Sequence, residues 1–198
     1  MEVLAGTGLV DASPDVALVE RARLGDAAAF DRLVATRIDR CYRLAWSILL
    51  NDQDAADATQ DAFVAAWRQL PRLRDAAAFD GWLNRVVANA ARMARRHRVR
   101  LREVHVPSPS PDDAAITSNE PRPDPTARSE IDDVGEMDAI ARAFDRLRPD
   151  QRAILTLHHV DERPVAEIAR SLGIPTGTAK WRLHAARQAL ERAMEAEA

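Results

Sequence analysis

Cysteine is almost absent. The 198 residues contain one, Cys41, so no disulfide can form within the chain, and a cysteine-based metal site is not expected. Glycine is scarce at 7 residues, aromatics make up 5%, and Val and Ile are too scattered to supply a large sheet. An Ala-rich chain that is 46% hydrophobic instead favours helices around a real core. Lysine is nearly missing as well: of 28 basic residues only Lys180 is not Arg. The Arg fork suits phosphates and base edges, but an Arg bias also follows genome composition and decides little. No apolar run approaches the roughly 20 residues needed to span a bilayer. The first residues show no positive segment followed by an apolar stretch. A cytoplasmic chain with no membrane insertion is therefore expected.

The net charge of -3 hides an uneven distribution. Residues 15–103 are dense in apolar positions at helical spacing. Residues 104–133 hold prolines at 107, 109, 111, 121, 123 and 125 and seven acids against Arg122 and Arg128. Helical periodicity returns over 134–198. The expected organisation is all-α: a flexible tail over 1–14, a helical domain over 15–103, an extended acidic Pro-rich linker over 104–133, and a second helical domain over 134–198. The spacing predicts helices over 16–24, 27–50, 54–70 and 79–100, then over 137–147, 149–159, 164–172 and 176–194. In the long second helix, Phe30, Leu33, Val34, Ile38, Cys41, Ala45 and Ile48 form one apolar stripe. Cys41 on that stripe is expected to be a buried, inert thiol.

Three motifs bear on function. Over residues 165–179, Ala169 sits where two helices would cross closely, Gly173 four residues on suits a positive φ, and Ala179 falls on an inner helix face. Ile168, Leu172, Leu183, Ala186 and Leu190 complete a small core. This is helix-turn-helix spacing, although an ordinary helical hairpin shares much of it. Thr176 is positioned to cap the second helix, and Gly177 and Thr178 leave backbone N–H groups for a phosphate. The outward face runs through Gly177, Trp181, His184 and Gln188, flanked by Lys180 and Arg187.

The second motif is basic. Between Gly81 and Arg102 there is no acid, but there are seven Arg and His97. A helix end favours some cations; seven without a carboxylate fit a nucleic-acid footprint better. Phe79 and Trp82 precede the patch, and such rings either stack on unpaired bases or fill core. The third motif is acidic: Asp57, Gln60, Asp61 and Val64 follow i, i+3, i+4, i+7 spacing, with Asp54 at the helix start. Acids at a helix N-terminus interact with the dipole, but Asp61 lies too far along for that. An acidic face with an apolar spot suits a basic partner helix.

In this order the motifs resemble a family. Asp54-Ala-Ala-Asp-Ala-Thr-Gln-Asp-Ala-Phe-Val-Ala-Ala-Trp67 resembles the polymerase-binding helix of sigma-70-type factors. Phe79-Asp-Gly-Trp-Leu-Asn-Arg-Val-Val-Ala-Asn89 resembles their -10 reader. Leu147-Arg-Pro-Asp-Gln-Arg152 and Gly173-Ile-Pro-Thr-Gly-Thr-Ala-Lys180 resemble their -35 domain. Two globular zones without a middle domain resemble the extracytoplasmic-function (ECF) group. The resemblance implies that Asp54, Asp57, Gln60, Asp61 and Val64 dock on the clamp helices of core RNA polymerase, whose flap region is also a partner. It implies that Leu73, Arg74, Asp75, Ala76, Ala77 and Trp82, with Asn89, surround a flipped -10 base, while Arg85 and Arg92 hold DNA backbone. His158, Gly177, Thr178, Lys180, Trp181, His184 and Arg187 would face the -35 element of promoter DNA. An anti-sigma factor is a further implied partner; no cofactor or metal is. The chain departs from the family pattern at Trp181, where a small polar residue is common, at Ala185, where an Arg is common, and at the Asp75-Ala76 loop.

Two other classes remain to be weighed. A two-domain regulator could bind duplex operators through the helix-turn-helix without core polymerase, but it would not need the acidic helix or the aromatic loop. An enzyme is not expected. His158 and His159 are adjacent and should point to different helix faces, and no catalytic or metal-ligand spacing appears.

Overall fold

The computed structural model describes residues 14–104 and 133–196. All but the edges of the expected tail and linker lie outside these residues. Among the described residues every regular element is helical. α1 (Pro14–Arg23), α2 (Ala27–Ala35), α3 (Ile38–Leu49), α4 (Asp52–Gln69) and α5 (Phe79–Val104) form the first unit. α6 (Asp133–Asp145), α7 (Pro149–Leu155), α8 (Val165–Leu172) and α9 (Thr176–Glu195) form the second. Short 3-10 turns lie at Leu70–Arg72 and Ala76–Ala78, and a π-helical turn at Thr156–Val160.

Small residues let the first unit close. Ala55, Ala58, Ala62 and Ala66 put one buried methyl per turn along α4, so α3 and α5 approach its backbone closely. Leu44, Ile48, Leu83 and Val87 fill the space between, each contributing roughly 1.5–3 kcal/mol on burial. The Asn51 side chain caps α4 by accepting from the Asp54 N–H at 2.8 Å, and Pro71 follows its end. Cys41 is fully buried, and burial pushes its thiol up to about 12, so it is inert as expected.

The long helix expected over 27–50 is instead broken at Thr36 and Arg37. The Thr36 N–H closes on the Arg32 carbonyl, and Arg37 leaves helical geometry at φ -127°. The break turns the Arg37 guanidinium inward, where Nε donates to Asp80 at 2.7 Å and Nη2 to Asp15 at 3.0 Å. A buried cation with two carboxylates outweighs two more residues of helix. The same break carries Ile38 off the apolar stripe and leaves it 45% exposed.

In the second unit, Gly173 takes φ +67° after α8, and the Ile174 N–H returns to the Ala169 carbonyl at 3.0 Å. Ala169, Ala179, Leu183 and Ala186 are buried where α8 and α9 meet, as helix-turn-helix spacing requires. Thr176 does not cap α9. Pro175 occupies the cap position and Thr176 is the first helical residue, leaving the N–H groups of that turn unsatisfied by a side chain.

The two units pack against each other, α7 along α3 and α8 across α5. Most of their buried apolar side chains, Ile48 and Val87 of the first unit and Ile154 and Leu183 of the second among them, belong to one contiguous cluster. Arg152, 5% exposed, crosses the seam: Nε donates to the Ser47 carbonyl at 2.6 Å and Nη2 to the Ile48 carbonyl at 3.2 Å, capping the C-terminal end of α3. Its Nη1 holds the Leu147 and Asp145 carbonyls of its own unit. Burial pulls this guanidinium below the ordinary Arg value.

Candidate polymerase and nucleic-acid interfaces

Helix α4 sends Ala55, Ala58, Ala62 and Ala66 inward, so Asp57, Gln60, Asp61 and Val64 all face solvent. Val64 is 45% exposed and, with Ile38, Val34, Tyr42 and Phe63, borders an apolar cleft of about 630 Å³ beside the acidic row. Ile38 and Tyr42 were not legible as part of this face, because a continuous helix would have turned Ile38 inward. Asp54 is placed differently from its neighbours: half-buried, it accepts from Arg98 of α5 at 2.8 Å.

On α5, Trp82, Arg85, Asn89, Arg92 and Arg96 recur at i, i+3, i+7, i+10 and i+14, one continuous stripe. Trp82 is half-buried with its ring 5.8 Å from that of buried Phe79, so it is partly core and partly surface. A cleft of about 400 Å³ brings together Leu73, Ala77, Trp82 and Arg85 of the expected -10 set, and its far wall is Arg163, Glu167 and Arg170 of the second unit. Asn89 does not line this cleft; it is exposed two turns further along α5. Ala76 is buried in its 3-10 turn, whereas Arg74 and Asp75 are exposed, Asp75 capping that turn by accepting from the Ala77 N–H at 2.9 Å. A second cleft of about 470 Å³ is lined by Arg92, Arg95, Arg96 and Arg148 with a single carboxylate, Asp150.

Asp80 is a residue sequence reasoning did not single out. It accepts from Arg37, from Arg40 at 3.0 Å and from Arg163 at 3.3 Å. Burial alone would raise its carboxyl, but the Arg37 hydrogen bond and the surrounding guanidinium charges win and hold it below the ordinary carboxylate value. Its acidic character among apolar neighbours at the start of α5 was the only available signal.

On α9, Gly177, Lys180, Trp181, His184 and Arg187 are exposed and Thr178 is half-buried. Trp181 is 68% exposed and stands beside Arg148, Gln151, Arg182 and Ala185 around a cleft of about 310 Å³. His158 and His159 do not point apart as adjacent α-helical residues should. The π-helical turn sets their rings 4.7 Å apart, and Arg187 Nε–H donates to His159 Nε2 at 3.2 Å. Burial, with His158 and Arg187 nearby, pushes the His159 imidazole below its ordinary value. Among the described residues no group of His, Cys, Asp or Glu is placed to hold a metal, and no helix is long and apolar enough to cross a membrane.

Residues 33–101 match the family description Sigma-70 region 2, and residues 137–190 match Sigma-70, region 4. The ECF RNA polymerase sigma factor SigE of Mycolicibacterium smegmatis is 31% identical over 186 residues, covering 93% of this chain and 66% of that one. SigM of Mycobacterium tuberculosis, another ECF RNA polymerase sigma factor, is 34% identical over 168 residues, covering 85% of this chain and 78% of that one. In fold, the chain is similar to the sigma factor RpoE of Bartonella quintana, solved with the anti-sigma factor NepR, at a TM-score of 0.63 and 21% identity over 84% of this chain and 96% of that one. The chain belongs to the sigma-70 family of RNA polymerase sigma factors, in the ECF group. As a sigma factor it works with RNA polymerase in promoter recognition, and the operator-binding alternative is not favoured.

Proposed function

We propose that three separate faces carry promoter recognition, and that none of them is catalytic in its own right. The acidic row of α4, with the apolar cleft beside it, docks on the clamp helices of core polymerase. The α5 stripe and the loop over residues 73–77 capture the -10 strand as the duplex opens. The exposed face of α9 enters the -35 major groove, with its uncapped first turn against a phosphate. The observation that carries this assignment is their separation: an acidic face, a basic aromatic stripe and an exposed recognition helix stand on three different elements. The chain acts in the cytoplasm, and an anti-sigma factor is its regulator, as NepR is named for RpoE.

The -35 face is testable by its charge. Lys180→Ala should weaken binding of -35 duplex and lower the slope of log affinity against log salt by about 0.9, one phosphate's worth of counterion. An unchanged slope places Lys180 off the backbone. Trp181→Ser should instead change base preference, because the exposed indole offers apolar contact to thymine methyls. Selection from randomised -35 duplexes reads this out, and identical selected sequences would remove Trp181 from the interface.

For the -10 face, Asn89→Ala should lower open-complex formation more than closed-complex binding, since capture of an unpaired base must offset a few kcal/mol of unstacking. Permanganate footprinting measures it. Equal thymine reactivity in wild type and variant would take Asn89 out of the site, which its distance from the Trp82 cleft makes a real test.

A further inference from the structure

We propose that His159 is a positioning residue for -35 recognition: its neutral imidazole holds the Arg187 guanidinium on the DNA side of α9, and protonation releases it. This rests on the exposed side of α9 being the -35 face.

An Arg on an exposed helix face carries much rotamer freedom, which it loses on meeting DNA. Arg187 is already tied down. Its Nε–H donates to His159 Nε2 at 3.2 Å, 28 residues back in the chain. The bond takes Nε alone. The two Nη groups make none among the described residues, so the outer edge of the fork stays available.

The π-helical turn at Thr156–Val160 makes this reach possible. In an α-helix, adjacent side chains stand about 100° apart. Here the turn widens, the Asp161 N–H closes on the Thr156 carbonyl at 3.0 Å, and both imidazoles come to one side. Their rings lie 4.7 Å apart, tilted by 32°. The turn is anchored at both ends: Leu157 is fully buried, and Asp161 pairs with Arg43 of α3 at 3.0 Å. His158, half-buried, has no hydrogen-bond partner for Nδ1 among the described residues. It gives the His159 ring a surface to pack on.

Nε2 accepts only while it carries no proton, so the tethered state is the neutral ring with its hydrogen on Nδ1. Once protonated, the ring donates at both nitrogens and sets a cation beside a cation. The bond is then lost. Burial, with the charges of His158 and Arg187, holds this imidazole below its ordinary value. The accepting form therefore prevails at neutral pH and is lost as pH falls through the lowered value. Helices α3, α7 and α8 also pack on the turn, but their charges are engaged elsewhere: Arg43 by Asp161, Arg152 by the Ser47 and Ile48 carbonyls, and Glu167 by Arg163.

A double-mutant cycle over His159→Ala and Arg187→Ala tests this, read as binding of the full chain to -35 duplex. At pH 8, His159→Ala should weaken binding about three- to tenfold with the salt slope unchanged, because Arg187 still meets DNA but must first be ordered. Arg187→Ala should weaken binding and also lower the slope by about 0.9. Adding His159→Ala to it should cost nothing more. His159→Gln, a neutral acceptor of similar reach, should keep wild-type binding. At about pH 4.5, two units below the ordinary 6.5, the coupling should vanish with His at this position and persist in His159→Gln. An additive cycle at pH 8, or a coupling unchanged in acid, overturns the proposal. So does a clear fall in melting temperature in His159→Ala, which would make the ring a support of the fold. If Arg187→Ala is without effect while Lys180→Ala acts, Arg187 lies off the DNA and the proposal falls although α9 still reads the -35 element. If neither acts, α9 is not the -35 face and the proposal falls with it.

Discussion

Asp80→Asn should destabilise the folded chain by about 2–4 kcal/mol, most of it from Arg37 losing the nearer of its two carboxylates. Removing one member of a buried pair typically costs about 3–5 kcal/mol because the other charge is left uncompensated; the side chain of Asp80 is 31% exposed, which discounts that figure. Arg37 is 5% exposed and would keep only Asp15 and the Thr36 hydroxyl. Arg40 would lose its carboxylate as well and Arg163 would keep only Glu167, so the effect reaches both units. The pH dependence has a definite sign. The folded carboxyl lies below its ordinary value of 3.8, so its contribution is complete above that value and is lost as pH falls through the lower folded value. Urea unfolding at neutral pH and in acid measures both. A wild-type advantage over the variant that persists unchanged in strong acid would show that the charge on Asp80 is not what matters.

Asp57→Arg with Asp61→Arg should weaken binding of core polymerase at least about 100-fold, because like charges set against a basic partner cost several kcal/mol. Both side chains are exposed on α4 and neither holds the core, so circular dichroism and melting should match wild type. Ile38→Asp, on the apolar side of the same face, should give the same phenotype for a different reason, loss of apolar burial. Unchanged core affinity in the charge-reversal variant would mean that α4 is not the docking face, and unfolding would mean that these acids support the fold.

The helices, the helix-turn-helix spacing and the three faces could be read from the chain because each is a local pattern. Alanine at one-turn intervals on α4, glycine with positive φ after α8, and the acid-free run over 81–102 within α5 need no distant partner to be recognised. What could not be read was set by distant partners. The break at Thr36–Arg37 follows from a cation that finds Asp15 and Asp80, 22 and 43 residues away in the chain. It moved Ile38 from the expected core to the surface. Arg152 is a short-range basic residue in the sequence and a cross-seam helix cap in the fold, reaching 105 residues back to Ser47. His158 and His159 were misplaced for a local reason instead: the π-helical turn at 156–160 has no composition that marks it, and it undoes the angular offset an α-helix would impose. Thr176 has the right chemistry for a cap but sits after Pro175, whose extended backbone already occupies that position.

The most direct test of the account is run-off transcription on a linear promoter library with reconstituted core polymerase, with and without this chain. With the chain, a subset of promoters sharing a -35 and a -10 element should give full-length transcripts and permanganate-reactive thymines near -10. Core alone should give neither, and Asp57→Arg/Asp61→Arg should abolish both without loss of -35 duplex binding by the free protein. Promoter binding by the chain with no polymerase-dependent opening, or transcription that survives the α4 charge reversal at full level, would contradict the account.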